Sequence, residues 1–295
     1  EFLDDIIEKN LNCIHFVKTP NDQLPLFNGA TSLNLSQIQK YLNSSKLSIK
    51  TNNLGGLFKI KHKSHFLLLD IGKPPTKKFS RSYQSGPLSF EYFLDGIKII
   101  TNSGFGNIIS KKAELLSRLT ACQSTLTINE TSITNFERNE IVSKIFGQSI
   151  KNSFKSFDIF TKKENGLIGF SASNNGYEKK FGCMHKRELY LDKENNFLKG
   201  TDHIFKAKDG YPIRYAFRFH INPELNIVKT MSGNSVLIQI SKNKSLIFTI
   251  NDENLDIEKS VFLGEKKIID NACITISGNL VNKSKTFNWE IKKNI

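Results

Sequence analysis

The sequence predicts an all-β protein: a large antiparallel β-sandwich of two sheets, with short helices at its N-terminal end. Three observations predict it. From about residue 55 onward, short apolar or alternating runs are separated by turn signals. No helical pattern interleaves with them, which excludes a βαβ nucleotide fold. The chain has 295 residues, of which 38% are apolar and 11% aromatic, enough to bury a sizeable core in one large domain. That content excludes a disordered chain, and no run approaches the roughly 18 consecutive apolar residues of a membrane-spanning helix.

The first residues, Glu1-Phe2-Leu3-Asp4-Asp5, are neither an initiator Met nor a secretory signal, so the chain reads as the remainder of something longer. Phe2, Ile6, Ile7 and Leu11 fall at helical spacing, with Asp4 and Asp5 in the first turn, where they complement the helix dipole. This predicts the last helix of a preceding domain. Pro20, Pro25 and Asn21-Asp22-Gln23 break it, and Leu26-Phe27-Asn28-Gly29 ends in a turn. A second short helix is predicted from Ser36 to Leu47, with Ile38, Tyr41 and Leu42 on one side. Strands are then expected at 57–61, 65–70, 88–94, 98–101, 124–128 and 185–191. Further strands follow at 197–205, 213–221, 235–240, 245–250, 255–263, 272–277 and 286–291. Asp95-Gly96, Asn174-Asn175-Gly176 and Ser232-Gly233-Asn234 supply turns between them. No internal repeat is evident.

The formal charge of +14 raises a nucleic-acid reading, and its composition argues against one. Only six basic residues are Arg, at 81, 118, 138, 187, 214 and 218. Base and phosphate recognition favours the guanidinium fork, whereas scattered Lys mostly solvates a surface. The four cysteines, Cys13, Cys122, Cys183 and Cys273, form no C-x-x-C pair and read as buried free thiols. No Walker A, G-x-S-x-G, H-E-x-x-H or dinucleotide fingerprint is present.

Two strands carry candidate binding residues. In Ile213 to Ile221, Arg214, Ala216, Arg218 and His220 share one face, while Tyr215, Phe217 and Phe219 share the other. The aromatic face belongs in the core. The other face aligns two guanidinium groups and an imidazole, a surface suited to carboxylates or sulfates, or else a solvated face with cross-strand ion pairs. In Cys183 to Tyr190, His185 and Arg187 share a face in the same way and would extend the basic stripe if the two strands were neighbours.

Three blocks carry a resemblance: Ser82-Tyr83-Gln84-Ser85-Gly86-Pro87-Leu88-Ser89-Phe90, Asn102-Ser103-Gly104, and Gln123-Ser124-Thr125-Leu126. They continue through Asn175-Gly176-Tyr177, the 185–191 strand, Gly200-Thr201-Asp202, Arg218-Phe219-His220, Ser260 to Gly264 and Trp289. The ordered series resembles the C-terminal domain of heparinase II/III-like polysaccharide lyases over nearly the whole chain. The resemblance implies that residues 1–30 end an α/α-toroid and that 31–295 form the β-sandwich. In that family a His-x-His pair, an acidic residue and a later His supply three zinc ligands and one active-site imidazole. The matching positions here hold Gln84, Asn102 and Gln123 in place of the ligands and Ser82 in place of the imidazole. Neutral amides are poor zinc ligands, so no metal and no cofactor is expected; the three amides are instead expected to hydrogen-bond one another.

The resemblance implies β-elimination on acidic, uronate-containing glycans by the full-length protein. Most catalytic groups would come from the toroid, so these 295 residues alone are expected to be inactive. The alternative is a non-catalytic structural or glycan-binding relative. The expected partners are an acidic polysaccharide and the chain's own upstream toroid, with no nucleic acid and no membrane insertion. The family points to the periplasm or cell envelope. Arg214, Arg218, His220 and His185 are the expected substrate-binding residues.

Overall fold

A computed structural model of the chain describes residues 2–44, 51–164, 166–192, 197–207 and 211–294. Seventeen strands among these residues form two antiparallel sheets. In chain order, β1 (Asn53–Leu54), β2 (Leu57–His62), β3 (His65–Asp70), β4 (Phe90–Leu94), β5 (Ile97–Thr101) and β6 (Leu126–Ile128) open the first sheet. Next come β7 (Ser156–Glu164), β8 (Leu167–Asn174), β9 (Cys183–Asp192) and β10 (Leu198–Lys206) of the second. β11 (Ile213–Ile221) returns to the first, and β12 (Asn226–Lys229), β13 (Ser235–Ser241) and β14 (Lys244–Ile250) to the second. β15 (Asp256–Phe262) and β16 (Ile269–Leu280) complete the first sheet, and β17 (Ser284–Asn294) the second.

The first sheet runs β1-β2-β3-β4-β5-β11-β16-β15, with β6 also paired to β11. The second runs β12-β13-β14-β17-β10-β9-β8-β7. The expected two-sheet sandwich is therefore the fold. All thirteen expected strands form, with ends shifted by a few residues. The Asp95-Gly96 turn joins β4 to β5 as a two-residue hairpin, with φ of 52° and 81° and Leu94 opposite Ile97.

The helices are more numerous than expected. α1 (Phe2–Val17) extends past Leu11, and α2 (Gln39–Ser44) follows a 3-10 turn at Ser36–Ile38; the expected continuation to Leu47 lies outside the described residues. α3 (Lys111–Ser117), α4 (Glu140–Phe146) and α5 (Glu178–Phe181) were not expected. Two of them carry legible N-caps. Ser110 accepts from the Ala113 amide, and Asn139 accepts from the Ile141 and Val142 amides. The missed strands lie at sheet edges or beside them: β7 is bulged between Phe157 and Phe160, and β12 is short and mostly exposed.

The core lies between the sheets. Leu67 and Leu69 of β3 face into it, whereas Phe66 and Leu68 on the opposite face pack under Phe16 of α1, together with Phe93. This double burial explains why β3 reads as a continuous apolar run. In the core, Trp289 stacks between Phe90 and Phe248, at 5.9 and 5.5 Å between ring centroids. Gly200 lies opposite it in the register, and a Cβ there would fall 2.0 Å from the indole ring. Only glycine leaves room for the ring. Cys183 and Cys273 are buried as expected, but Cys13 is exposed on α1 and Cys122 is half-buried.

Candidate functional site

Arg214, Arg218 and His220 share one face of β11, but His185 does not join them. β9 and β11 belong to different sheets, so His185 and Arg187 cannot extend the β11 face. Their side chains point into the core with those of Cys183, Leu189 and Leu191. The two leucines, at the same two-residue spacing, already marked that face as the inward one.

Inside, the buried polar groups form a closed network. Arg187 grips Asp202 through Nε and Nη2, at 2.7 and 3.1 Å. His185 Nε2 lies 2.7 Å from Asp202 Oδ1, and Trp289 Nε1 donates to Oδ2 at 2.9 Å. Burial alone would raise the Asp202 pKa, but Arg187 and His185 outweigh it and hold the carboxyl well below its ordinary range. Burial lowers the His185 pKa against the pull of Asp202, so its neutral ring donates to the carboxylate.

Arg187 also crosses to the first sheet. Its Nη1 donates to the carbonyls of Leu88 and Ser124, both at 2.8 Å. Leu88 holds a left-handed φ of 59°, a strained conformation for a branched side chain, and Arg187 pins its carbonyl. The buried cation thus fixes the two segments that carry Gln84 and Gln123.

His220 is buried as well. Its ring nitrogens lie 2.9 Å from Ser260 Oγ and 3.0 Å from the Ala121 carbonyl oxygen. Burial pushes its pKa down to about 4, although the Ala121 bond works the other way. Both ring nitrogens are engaged, so this imidazole ties the Ala121 turn to β15.

The three amides lie in one loop cluster, each almost fully buried. Gln84 Nε2 donates to the carbonyls of Gly104 and Ser117, and its Oε1 accepts from the Gly29 amide. Gln123 Nε2 donates to the same Ser117 carbonyl at 2.9 Å. Asn102 Oδ1 accepts from the Ser124 amide at 2.9 Å. Contrary to the expected mutual bonding, the amides bond to backbone groups; Gln84 and Gln123 meet only through Ser117. Backbone carbonyls and amides lie at fixed positions in these loops, so they partner Gln84 and Gln123 at lower entropic cost than another mobile amide, whereas Asn102 Nδ2 is buried without a partner among the described residues.

These residues do not fit zinc. Both glutamine amides present N–H groups to carbonyls, and a donor cannot ligate a cation. Among the described residues, no group of three or more His, Cys, Asp or Glu is placed to hold a metal. Elemental analysis of the purified chain is expected to find no stoichiometric zinc; one zinc per chain, lost on Gln84→Ala, would contradict this donor geometry. Ser82 is half-buried beneath the Asn28-Gly29 turn, where a Cβ on Gly29 would lie 2.7 Å from its own Cβ.

Beside this cluster opens a groove of about 580 Å³, built by residues 119–138 with Lys151 and Lys180. Two of its lining residues hold the β11 arginines at the rim. Thr127 Oγ1 accepts from Arg218 Nη1 at 2.7 Å, and Glu130 pairs with Arg214 at 3.0 Å. Arg218 Nε also lies 3.7 Å from Glu258. Glu137 accepts from the Asn139 and Arg138 amides and pairs with Lys151, which holds its carboxyl below the ordinary range. The side chains of Arg138 and Lys180 are exposed and have no acidic partner among the described residues. The groove therefore carries uncompensated positive charge.

The floor under this groove is held by Arg118, which is buried. Its Nε, Nη2 and Nη1 donate to the carbonyls of Tyr83, Ser80 and Gln148 at 3.0, 2.9 and 2.7 Å. Its guanidinium lies 4.1 Å from the ring centroid of Phe136, a groove residue. Sequence reasoning missed Arg138, Lys151 and Lys180 as a group because they come from two loops and the short helix α5, far apart in the chain.

Two stacked antiparallel sheets, with this polar loop cluster, define a double-sheet β-sandwich. The chain belongs to the heparinase II/III-like C-terminal family, whose model matches residues 48–290. The structure is similar to heparan sulfate lyase HepC from Pedobacter heparinus, with 13% identity, a TM-score of 0.72, and coverage of 95% of this chain and 45% of that one. It is also similar to two heparinase III structures, at 12% and 14% identity with TM-scores of 0.74 and 0.72. These alignments cover 98% and 97% of this chain and 46% and 48% of the other chains. The chain thus spans less than half the length of these structures. A comparison with curated proteins finds no match. Among the described residues, no helix is long and apolar enough to cross a membrane.

Proposed function

We propose that this chain is the β-sandwich part of a polysaccharide-lyase-like protein and that its basic groove binds acidic, uronate-containing glycans. One observation carries the reading: Arg138 and Lys180 lie uncompensated in an open groove whose rim holds Arg214 and Arg218. Guanidinium forks match carboxylate and sulfate oxygens in pairs. Similarity to heparan sulfate lyase and heparinase III structures supports this class of ligand. His185 and His220 leave the substrate-binding set, because both rings are buried and engaged.

β-Elimination needs a base to take the proton α to the uronate carboxylate, donors for the charge that develops, and an acid for the leaving oxygen. The groove supplies cations that can neutralise the carboxylate. In this reading, the acid and base belong to an upstream helical domain of which α1 is the last helix, and the chain alone is catalytically silent. Support comes from the apolar Phe2, Leu3 and Ile7, which α1 leaves exposed. A periplasmic or cell-envelope location belongs to the same proposal. Ser82 and the amides at 84, 102 and 123 favour a second reading, a glycan-binding relative that has lost the chemistry.

Salt-dependent binding to a uronate polymer, with no comparable binding to DNA of equal charge, is the expected result. Arg138→Ala with Arg218→Ala should weaken it about tenfold or more, the equivalent of one charge-assisted hydrogen bond. Equal binding by the double variant would overturn the groove assignment. With an upstream domain joined, a rise in ultraviolet absorbance from unsaturated uronate would select the lyase reading over the non-catalytic one.

A further inference from the structure

We propose a second anion site, where the end of α1 meets the β2–β3 hairpin, that takes the tetrahedral oxyanion of a sulfate or phosphate group. It stands on its own geometry and does not depend on the groove.

The pocket there has a volume of about 440 Å³, with walls from α1, β2 and the turns at 63–64 and 95–96. His15 and Lys18 enter it from the helix, and Lys59 and Lys61 from the strand. Two carboxylates reach the pocket, and both are engaged. Asp22 pairs with Lys18 at 2.7 Å. Asp95 is held by Lys244 at 3.1 Å and Lys293 at 3.4 Å, from β14 and β17. Lys61 is exposed and has no acidic partner among the described residues. Lys59 is half-buried; it donates to the Phe16 carbonyl at 2.8 Å and lies 4.3 Å from the centroid of that ring.

The negative end of the α1 dipole opposes an anion here, but Lys59 already occupies the Phe16 carbonyl. What remains is a concave surface on which several like charges converge, and such a surface concentrates anions. The ligand class follows from the donors. No arginine lines this pocket, in contrast to the groove. Ammonium groups are point charges on flexible stems, suited to an oxyanion approached from several sides rather than to a planar carboxylate met by a fork.

Burial and then Lys59, Lys18 and Lys61 push the His15 imidazole below its ordinary pKa. Lys63, His65, Asp22 and Asp95 are the other titratable groups around the pocket. A bound oxyanion favours the imidazolium, so binding takes up a proton and strengthens as pH falls through the His15 titration.

The test is an NMR titration of the His15 ring in this chain with sodium sulfate and with inorganic phosphate, against chloride at matched ionic strength. A saturable shift, a raised His15 pKa in the oxyanions, and affinity reduced severalfold by Lys61→Ala but not by Arg138→Ala are expected. An identical His15 pKa in sulfate, phosphate and chloride would overturn the site, as would unchanged affinity in Lys61→Ala. A sulfated disaccharide and a sugar phosphate, titrated next, distinguish the two sources; the tighter ligand identifies the natural one. The Arg138→Ala control separates failure of this site from failure of the groove.

Discussion

Asp202→Ala is expected to destabilise the chain by about 3–5 kcal/mol, because it leaves a buried guanidinium without its counter-charge. That loss corresponds to a fall in melting temperature of about 10 °C for a domain of this size. Asp202 accepts from Arg187, His185 and Trp289, and all three lose a partner at once. The double variant Asp202→Leu with Arg187→Met should cost less than the sum of the single changes, because it removes the stranded charge. Additive losses would show that the pair is not coupled.

Acid should act on the same network. His185 has a folded pKa depressed by burial, so its contribution is complete above about pH 6.5 and is lost as pH falls below it. Asp202 is held low chiefly by Arg187, against the effect of its own burial. Its contribution is present above the ordinary carboxylate pKa of about 4 and is lost as pH falls through the folded value. Urea midpoints measured across the acid range should therefore fall in two stages, with the lower stage missing in Asp202→Ala. The same profile in the native chain and in Asp202→Ala would mean that Asp202 does not change its protonation on folding.

Arg118→Met is expected to cost about 2–4 kcal/mol and to weaken glycan binding as well. The guanidinium serves three carbonyls that would otherwise be left without a partner, and hydrogen bonds to a charged group contribute about 1.5–3 kcal/mol each before relaxation and water recover part of the loss. Burial lowers its pKa to about 10, partly offset by Glu114, so it remains charged near neutrality. The guanidinium ties together the segments of Ser80, Tyr83 and Gln148, and Phe136 of the groove lies against it. Losing this anchor should therefore reach the groove. Arg118→Lys should not restore stability, because one ammonium cannot reach three carbonyls arranged around a planar fork. An unchanged urea midpoint in Arg118→Met would show that water replaces the guanidinium.

Although β8 was missed, whose Ile168, Phe170 and Ala172 pack in the core beside small polar residues, the strand pattern was legible for most strands with one apolar face. β11 shows this best: Tyr215, Phe217 and Phe219 fixed the inward face, and Arg214 and Arg218 lie on the other. The edge strands β7 and β12 were not legible, because a strand with little buried surface need not alternate. At the candidate site, the replacement of metal-binding residue types by amides was visible residue by residue. Which groups those amides would bond was not, since Ser117 and Gly104 are distant in the sequence from Gln84.

Strand periodicity alone implies a two-sheet antiparallel sandwich and an aromatic core face on β11, and the family resemblance implies a zinc-ligand pattern that here lacks zinc-binding side chains. Which polar residues are buried and which line a groove follows from long-range packing. Periodicity says which side chains share a face, but not which strand lies alongside, and that depends on contacts between residues far apart in the chain. The sheet assignment of β9 turned His185 and Arg187 from surface candidates into a buried brace, and two loops and the helix α5 brought Arg138, Lys151 and Lys180 into one groove.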